Sequence, residues 1–173
     1  MSAPKLLRIS VAAPQGQWLM LLVCLLAVAA IAALGAIASI EARDFYAQLV
    51  KPAWALPAGL FGPAWTLLYA LMALAAWLVW RTRGSLRAAA LPLAIFALQL
   101  VLNGLWSWLF FKWRLGVWAV IDVSLLWMLI LVTLVQFWQV NRAAGALLAP
   151  YLLWVSFATA LTAAVWRLNP RLL

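Results

Sequence analysis

The sequence predicts an all-α membrane protein: one bundle of five transmembrane helices with a long lid loop between helices 1 and 2. Three observations carry that prediction. Of the 173 residues, 70% are hydrophobic and only 9% are charged, whereas a soluble domain carries about a quarter charged residues. The mean hydropathy is +1.10, so the solvent must be largely lipid. The apolar runs are continuous over about 20 residues and do not alternate with period two. Hydrocarbon admits only helices or closed barrels, and runs of this kind select helices.

The first helix is expected over about 18–39. Lys5 and Arg8 precede it as in a signal peptide, but the run of about 22 residues exceeds an h-region of about 7–15. A retained helix is therefore expected, with cleavage at the small-residue stretch AIAS (36–39) as the alternative. Residues 1–17 hold two prolines and little pattern, and are expected to form a mobile tail ahead of a single domain, 18–173. The remaining helices are expected over about 63–81, 90–111, 116–139 and 146–167. Each is long enough for about 30 Å of hydrocarbon at about 1.5 Å per residue. Short connections at 81–87, 112–115 and 139–145 make neighbouring helices antiparallel.

One connection is long. Residues 40–62, IEARDFYAQLVKPAWALPAGLFG, suggest a short amphipathic helix with Phe45, Leu49 and Tyr46 on one side, broken by Pro52, Pro57 and Gly59. A loop of this length and aromaticity in a compact bundle is expected to be functional, as a lid. The other reading is an interfacial segment resting on headgroups.

The net charge of +9 would suggest nucleic acid in a soluble protein. Here the basic residues sit at the ends of apolar runs, as flanks of membrane helices do, and no nucleic-acid partner is expected. They divide six against six between the two sides: Lys5, Arg8, Arg81, Arg83, Arg87 and Arg142 against Arg43, Lys51, Lys112, Arg114, Arg167 and Arg171. Charge therefore does not orient the bundle. There is no histidine and one cysteine, Cys24, so no internal disulfide or cysteine-based metal cluster is available, and the commonest general base and axial ligand is missing.

Thirteen tryptophans need an explanation. Trp18, Trp77, Trp80, Trp113, Trp118, Trp138 and Trp166 lie near helix ends and suit an interfacial belt. Trp106, Trp108, Trp127 and Trp154 lie deeper, and Trp65 follows Pro63 under the long loop. These either line a cavity or pack against Ser, Thr or backbone oxygen. Gln99, Asn103 and Ser107 recur every four residues on one face of the third helix. Amides at membrane depth face partners rather than lipid, so this stripe is helix–helix glue or, at Asn103 beside Trp106, a ligand contact. In the fifth helix Tyr151, Trp154, Ala158 and Leu161 share a face, with small Ala158 forming a notch beside Trp154. Ser156, Thr159 and Thr162 on the neighbouring face suit close packing. Asp122 is the only acid within a span; it either pairs with Lys112 or Arg114 or serves a pocket. In the first helix Ala32, Gly35, Ala36 and Ser39 mark tight packing or a dimer face.

Five stretches, FYAQLVKPAWALP, GPAWTLLYALM, LQLVLNGLWSWLFF, VWAVIDVSLLW and APYLLWVSFATAL…VWRLN, together resemble the tryptophan-rich sensory protein and translocator protein (peripheral-type benzodiazepine receptor) family, over about Phe45 to Asn169. The resemblance implies a five-helix bundle, usually a homodimer, with a pocket under the first long loop. That pocket binds porphyrins such as protoporphyrin IX, and benzodiazepine-type and isoquinoline ligands. By matching position it would include Tyr46, Trp65, Asn103, Trp106, Trp118, Asp122, Trp154, Ala158 and Leu161, which moves Trp118 from belt to pocket. In some bacterial members the residues matching Trp65 and Trp154 support light-dependent porphyrin degradation, and both are present.

Two departures stand out. ALPAGL (55–60) lacks the family's aromatic and proline run after KPAW, which would loosen the lid. Ala163 and Ala164 stand where animal members carry a cholesterol motif with tyrosine, so strong cholesterol binding is not expected. The expectation is thus a multi-pass receptor or sensor in a bacterial membrane that binds tetrapyrroles and regulates tetrapyrrole or stress responses. Arg43 or Lys51 would meet the propionates; no cofactor is required, and porphyrin is the ligand. A photochemical porphyrin-degrading enzyme, a transporter and a structural membrane subunit are the alternatives. Without obvious inverted repeats, and with one ionisable residue in a span, transport is the less favoured.

Overall fold

The computed structural model describes residues 14–173. Its elements are α1 (Pro14–Ala38), α2 (Ala42–Gln48), a 3-10 turn (Ala58–Leu60) leading into α3 (Phe61–Arg83), α4 (Leu86–Ser107) continued by a π turn (Trp108–Lys112), α5 (Gly116–Val140) and α6 (Arg142–Leu168). The tail expected over 1–17 lies outside the described residues as far as residue 13, and 14–17 are already helical. Five spans of 23–27 residues result, each about 35–40 Å long at about 1.5 Å per residue. Their outward faces are apolar: Leu19, Leu22 and Leu26 on α1, Leu91 and Leu98 on α4, and Leu125 and Val132 on α5 are all exposed. Lipid is the solvent for such faces.

Helices α4 and α6 each begin four residues before the hydropathy-based starts at 90 and 146. Side-chain caps are the reason. Ser85 Oγ accepts from the Ala88 N–H at 3.2 Å. Asn141 Oδ1 accepts from the N–H groups of Ala143 and Ala144 at 3.0 and 3.2 Å. These bonds satisfy donors that a helix start leaves free, so Arg87 and Arg142 join their helices instead of their loops. At the other end of the first turn, Gly84 takes φ 74° and closes α3 with its N–H on the Trp80 carbonyl.

α1 packs on α3 and α4, α3 on α6, α6 on α5, and α5 on α4, so the helices run round the bundle in the order α1–α3–α6–α5–α4. Small residues make these approaches close. Ala73, Ala75 and Ala76 of α3, Ala119 of α5 and Ala144 of α6 are buried. Between α1 and α4, a Cβ on Gly35 would lie 3.3 Å from Ser107 Oγ, and one on Gly104 would lie 3.3 Å from Ile31 Cγ2. The small-residue edge of α1 therefore faces the interior. Trp18, Trp113, Trp118 and Trp138 are exposed as a belt requires, but Trp80 is buried in the core. Trp77 Nε1–H donates to the Gln17 carbonyl at 2.9 Å.

The connection after α1 is fixed to the bundle rather than draped over it. Phe45 and Leu49 of α2 are buried against Phe110, Ala119, Leu161 and Val165, and the Arg114 guanidinium lies 4.6 Å from the Phe45 ring centroid. Lys51 Nζ donates to the carbonyls of Tyr46 and Leu49, both at 2.7 Å, and so closes the end of α2. Beyond it, Asn169 at the end of α6 grips Val50 on both sides. Its Oδ1 accepts from the Val50 N–H at 2.8 Å, and its Nδ2 donates to the Val50 and Val165 carbonyls at 2.8 and 2.7 Å.

Candidate functional site

Under α2 and the 3-10 turn lies a cavity of about 610 Å³, walled by α1, α3, α4 with its π turn, and α6. Each wall follows from local sequence. On α1 and the turn that follows it the lining residues are Ala32, Gly35, Ala36 and Ser39, too small to fill the space opposite them. On α3, Trp65 and Tyr69 are one turn apart and their rings stack at 5.4 Å. On α6, Ala158, Leu161, Thr162 and Val165 form a stripe at helical spacing. The π turn at 108–112 holds an extra residue per turn, and both Phe110 and Phe111 reach the cavity there. Trp106 stacks on Phe110 at 5.4 Å and meets Phe111 edge-on at 5.6 Å. From above, Tyr46 closes the space, its hydroxyl donating to the Leu56 carbonyl at 3.2 Å. Burial pushes the Tyr46 phenol above its ordinary range, so it remains a neutral donor.

Of the nine residues nominated from sequence, Tyr46, Trp65, Trp106, Ala158 and Leu161 line this cavity. Trp154 stands behind the wall, with its ring 6.4 Å from Trp65 and 5.8 Å from Phe61. Asn103 lies beneath it, and its amide is occupied by protein. Tyr69 Oη donates to Asn103 Oδ1 at 2.7 Å, Asn103 Nδ2 donates to Tyr151 Oη at 3.0 Å, and Tyr151 Oη donates to Gln99 Oε1 at 3.0 Å. This chain is a polar floor linking α3, α4 and α6. Replacing Tyr151 with Phe leaves Gln99 and Asn103 each one partner short. A loss of about 1–2 kcal/mol is expected, seen as a lower thermal midpoint in detergent; an unchanged midpoint would show that the chain adds no stability.

Trp118 and Asp122 differ from expectation, because α5 contributes no residue to the wall. The buried stripe of α5 runs through Gly116, Ala119, Val123, Leu126, Ile130, Thr133 and Phe137. Trp118 precedes Ala119 by one residue, about 100° round the helix, and is 59% exposed on the outer surface. Asp122 sits at the edge of the stripe, buried, with Oδ2 unpartnered. It forms no ion pair with Lys112 or Arg114 among the described residues.

The deep tryptophans separate by their N–H groups. Trp127 Nε1–H donates to Ser156 Oγ at 2.7 Å, which is packing between α5 and α6. The indole nitrogens of Trp106 and Trp154 are buried and have no acceptor among the described residues. Trp106 is on the cavity wall, but its N–H is shut off from the open space and is a buried donor without a partner among the described residues. Sequence reasoning did not nominate Phe61, Tyr69, Phe110 or Phe111. Tyr69 carried a signal, a hydroxyl inside a span four residues after Trp65, which requires a buried acceptor.

The sequence profile of the TspO/MBR family matches residues 21–167. Over 126 residues the chain is 40% identical to the tryptophan-rich protein TspO of Chlorobaculum tepidum, covering 73% of this chain and 80% of that one. It is 39% identical over 130 residues to the translocator protein of Homo sapiens, covering 75% and 77%. It is also 39% identical over 132 residues to the tryptophan-rich sensory protein of Cereibacter sphaeroides, covering 76% and 81%.

Proposed function

This chain belongs to the TspO/MBR family, and we propose that it is a membrane receptor or sensor that binds a tetrapyrrole such as protoporphyrin IX in the cavity beneath α2. The observation that carries this reading is the aromatic wall: Trp65 with Tyr69 on one side, and Trp106 with Phe110 on the other. Flat rings of this kind offer stacking faces to a flat aromatic macrocycle. The cavity of about 610 Å³ falls in the range of small-molecule sites, roughly 300–1,000 Å³. Ser39, Thr66 and Ser107 add polar groups to a largely apolar wall. With no histidine in the chain, the donor set favours an iron-free ring over an axially ligated haem. In this reading α2 is the lid, and the likeness to the tryptophan-rich sensory protein of Cereibacter sphaeroides supports a sensory role.

The test is a titration of the detergent-solubilised protein with protoporphyrin IX. Saturable quenching of tryptophan emission is expected. In the double variant Trp65→Phe/Trp154→Phe, affinity read from the porphyrin's own absorption should fall about tenfold, which corresponds to about 1.4 kcal/mol. Affinity unchanged by both substitutions sinks the assignment of the cavity.

A further inference from the structure

The end of the bundle opposite the cavity carries a different chemistry. There α3 finishes in Arg81, Thr82 and Arg83, α4 begins with Leu86 and Arg87, and α5 passes into α6 through Asn141 and Arg142. Asn141 Nδ2–H donates to Thr82 Oγ1 at 3.0 Å, so the two connections are tied side by side. Arg81, Arg83, Arg87 and Arg142 are all exposed around that bond.

No acid answers these four cations. Glu41 and Asp44 belong to the connection at the cavity end, and Asp122 lies within a span near the start of α5, so this end holds no acidic side chain among the described residues. Arg81 lies over the Trp77 ring, 5.1 Å from its centroid. The guanidinium groups of Arg83, Arg87 and Arg142 make no ion pair, hydrogen bond or ring contact among the described residues. Two of these three stand where the fold opposes them. Arg142 is the first residue of α6 and Arg87 the second of α4, and neither helix has an acid in its first turn. A helix N-terminus already carries partial positive charge, so each guanidinium raises a potential that an outside anion offsets. At the cavity end, by contrast, Lys51 is bound to carbonyls and Arg114 lies over Phe45.

The surface beside the cluster is apolar. Leu86 and Leu91 of α4 and Trp138 of α5 are exposed. Guanidinium forks that match a phosphate, set above a hydrocarbon-facing wall, complement both halves of a phospholipid. An acidic protein would supply the charge and leave the wall unused. We propose that this end of the bundle is a docking surface for the headgroups of anionic phospholipids, held by Arg83, Arg87 and Arg142 around the Thr82–Asn141 bond. An anion shared across that bond joins the α3–α4 and α5–α6 hairpins, so lipid binding stabilises the bundle. The assignment is independent of what the cavity binds.

The experiment adds phosphatidylglycerol or phosphatidylcholine of the same acyl chains to the full chain in neutral detergent. Retained lipid is counted by native mass spectrometry, and the thermal midpoint is the second readout. Phosphatidylglycerol should bind about tenfold more tightly and raise the midpoint by several degrees, and high salt should shrink the preference. The triple variant Arg83→Gln/Arg87→Gln/Arg142→Gln should lose the preference. Its midpoint in lipid-free detergent should stay at or above that of the parent, because two cations have left helix N-termini. Lys112→Gln/Arg171→Gln, at the cavity end, should keep the preference. Equal binding of the two lipids, or equal loss of preference in both variants, overturns the assignment. Inorganic phosphate that raises the midpoint as far as phosphatidylglycerol at the same concentration shows a site for any small anion and overturns it as well.

Discussion

Replacing Asn169 with Leu is expected to loosen the roof of the cavity and to cost about 2–4 kcal/mol, since three hydrogen bonds worth about 1 kcal/mol each disappear together. Asn169 is buried, and its amide is the partner of both backbone groups of Val50 as well as of the Val165 carbonyl. Leucine is close in size but can neither donate nor accept. Asn169→Asp keeps the acceptor for the Val50 N–H and turns a carboxylate oxygen toward two carbonyl oxygens, so it too is expected to destabilise. The thermal midpoint in detergent should fall in both variants, and limited proteolysis should cut within residues 49–57 faster than in the parent. Wild-type cleavage rates in both variants would show that the α2 connection is held by its apolar contacts alone.

Gly145→Ala is expected to damage the α5–α6 approach. A Cβ there would lie 2.7, 2.8 and 2.9 Å from Cβ, Cα and N of Trp138. Two of those atoms are backbone, so only a shift of α5 against α6 relieves the clash. Overpacking of this kind costs about 1–3 kcal/mol, and the gain of about 0.5–1 kcal/mol from replacing a helical glycine does not offset it at the upper end. Gly35→Ala is the comparison. Its Cβ would meet Ser107 Oγ at 3.3 Å, a side-chain atom that can rotate away. The thermal midpoint should therefore fall several degrees for Gly145→Ala and less for Gly35→Ala. The reverse order would contradict the close α5–α6 approach.

The five spans were legible because hydrocarbon leaves the chain so few options; their ends were not. Ser85 and Asn141 set the starts of α4 and α6, yet hydropathy reads the polar residues after them as loop. The shared face of Tyr151, Trp154, Ala158 and Leu161 on α6 also followed from spacing, and Ala158 and Leu161 stand on the cavity wall; Trp65 stands there too, but its place came from the resemblance. Trp118 did not follow. The resemblance placed it in the pocket, but the 100° step from Ala119 turns it outward. Asn103 shows a different limit. Periodicity put it on the interior face, and only the structure shows that Tyr69 and Tyr151 take up its amide. The grip of Asn169 on Val50 joins residues 119 apart, and no periodic pattern encodes a pair so distant.

That separation carries a consequence for the order in which the protein is made. A nascent chain delivers α1 and the connection after it to the membrane long before the last helix leaves the ribosome. The α1, α3 and α4 walls of the cavity can form as those spans insert, but Val50 has no Asn169 to meet, and the cavity no fourth wall, until α6 is in place. The Val50–Asn169 bonds that tie down the roof therefore wait for the last helix. A chain lacking the end of α6 would lose both this tie and the part of the wall that Leu161 and Val165 supply.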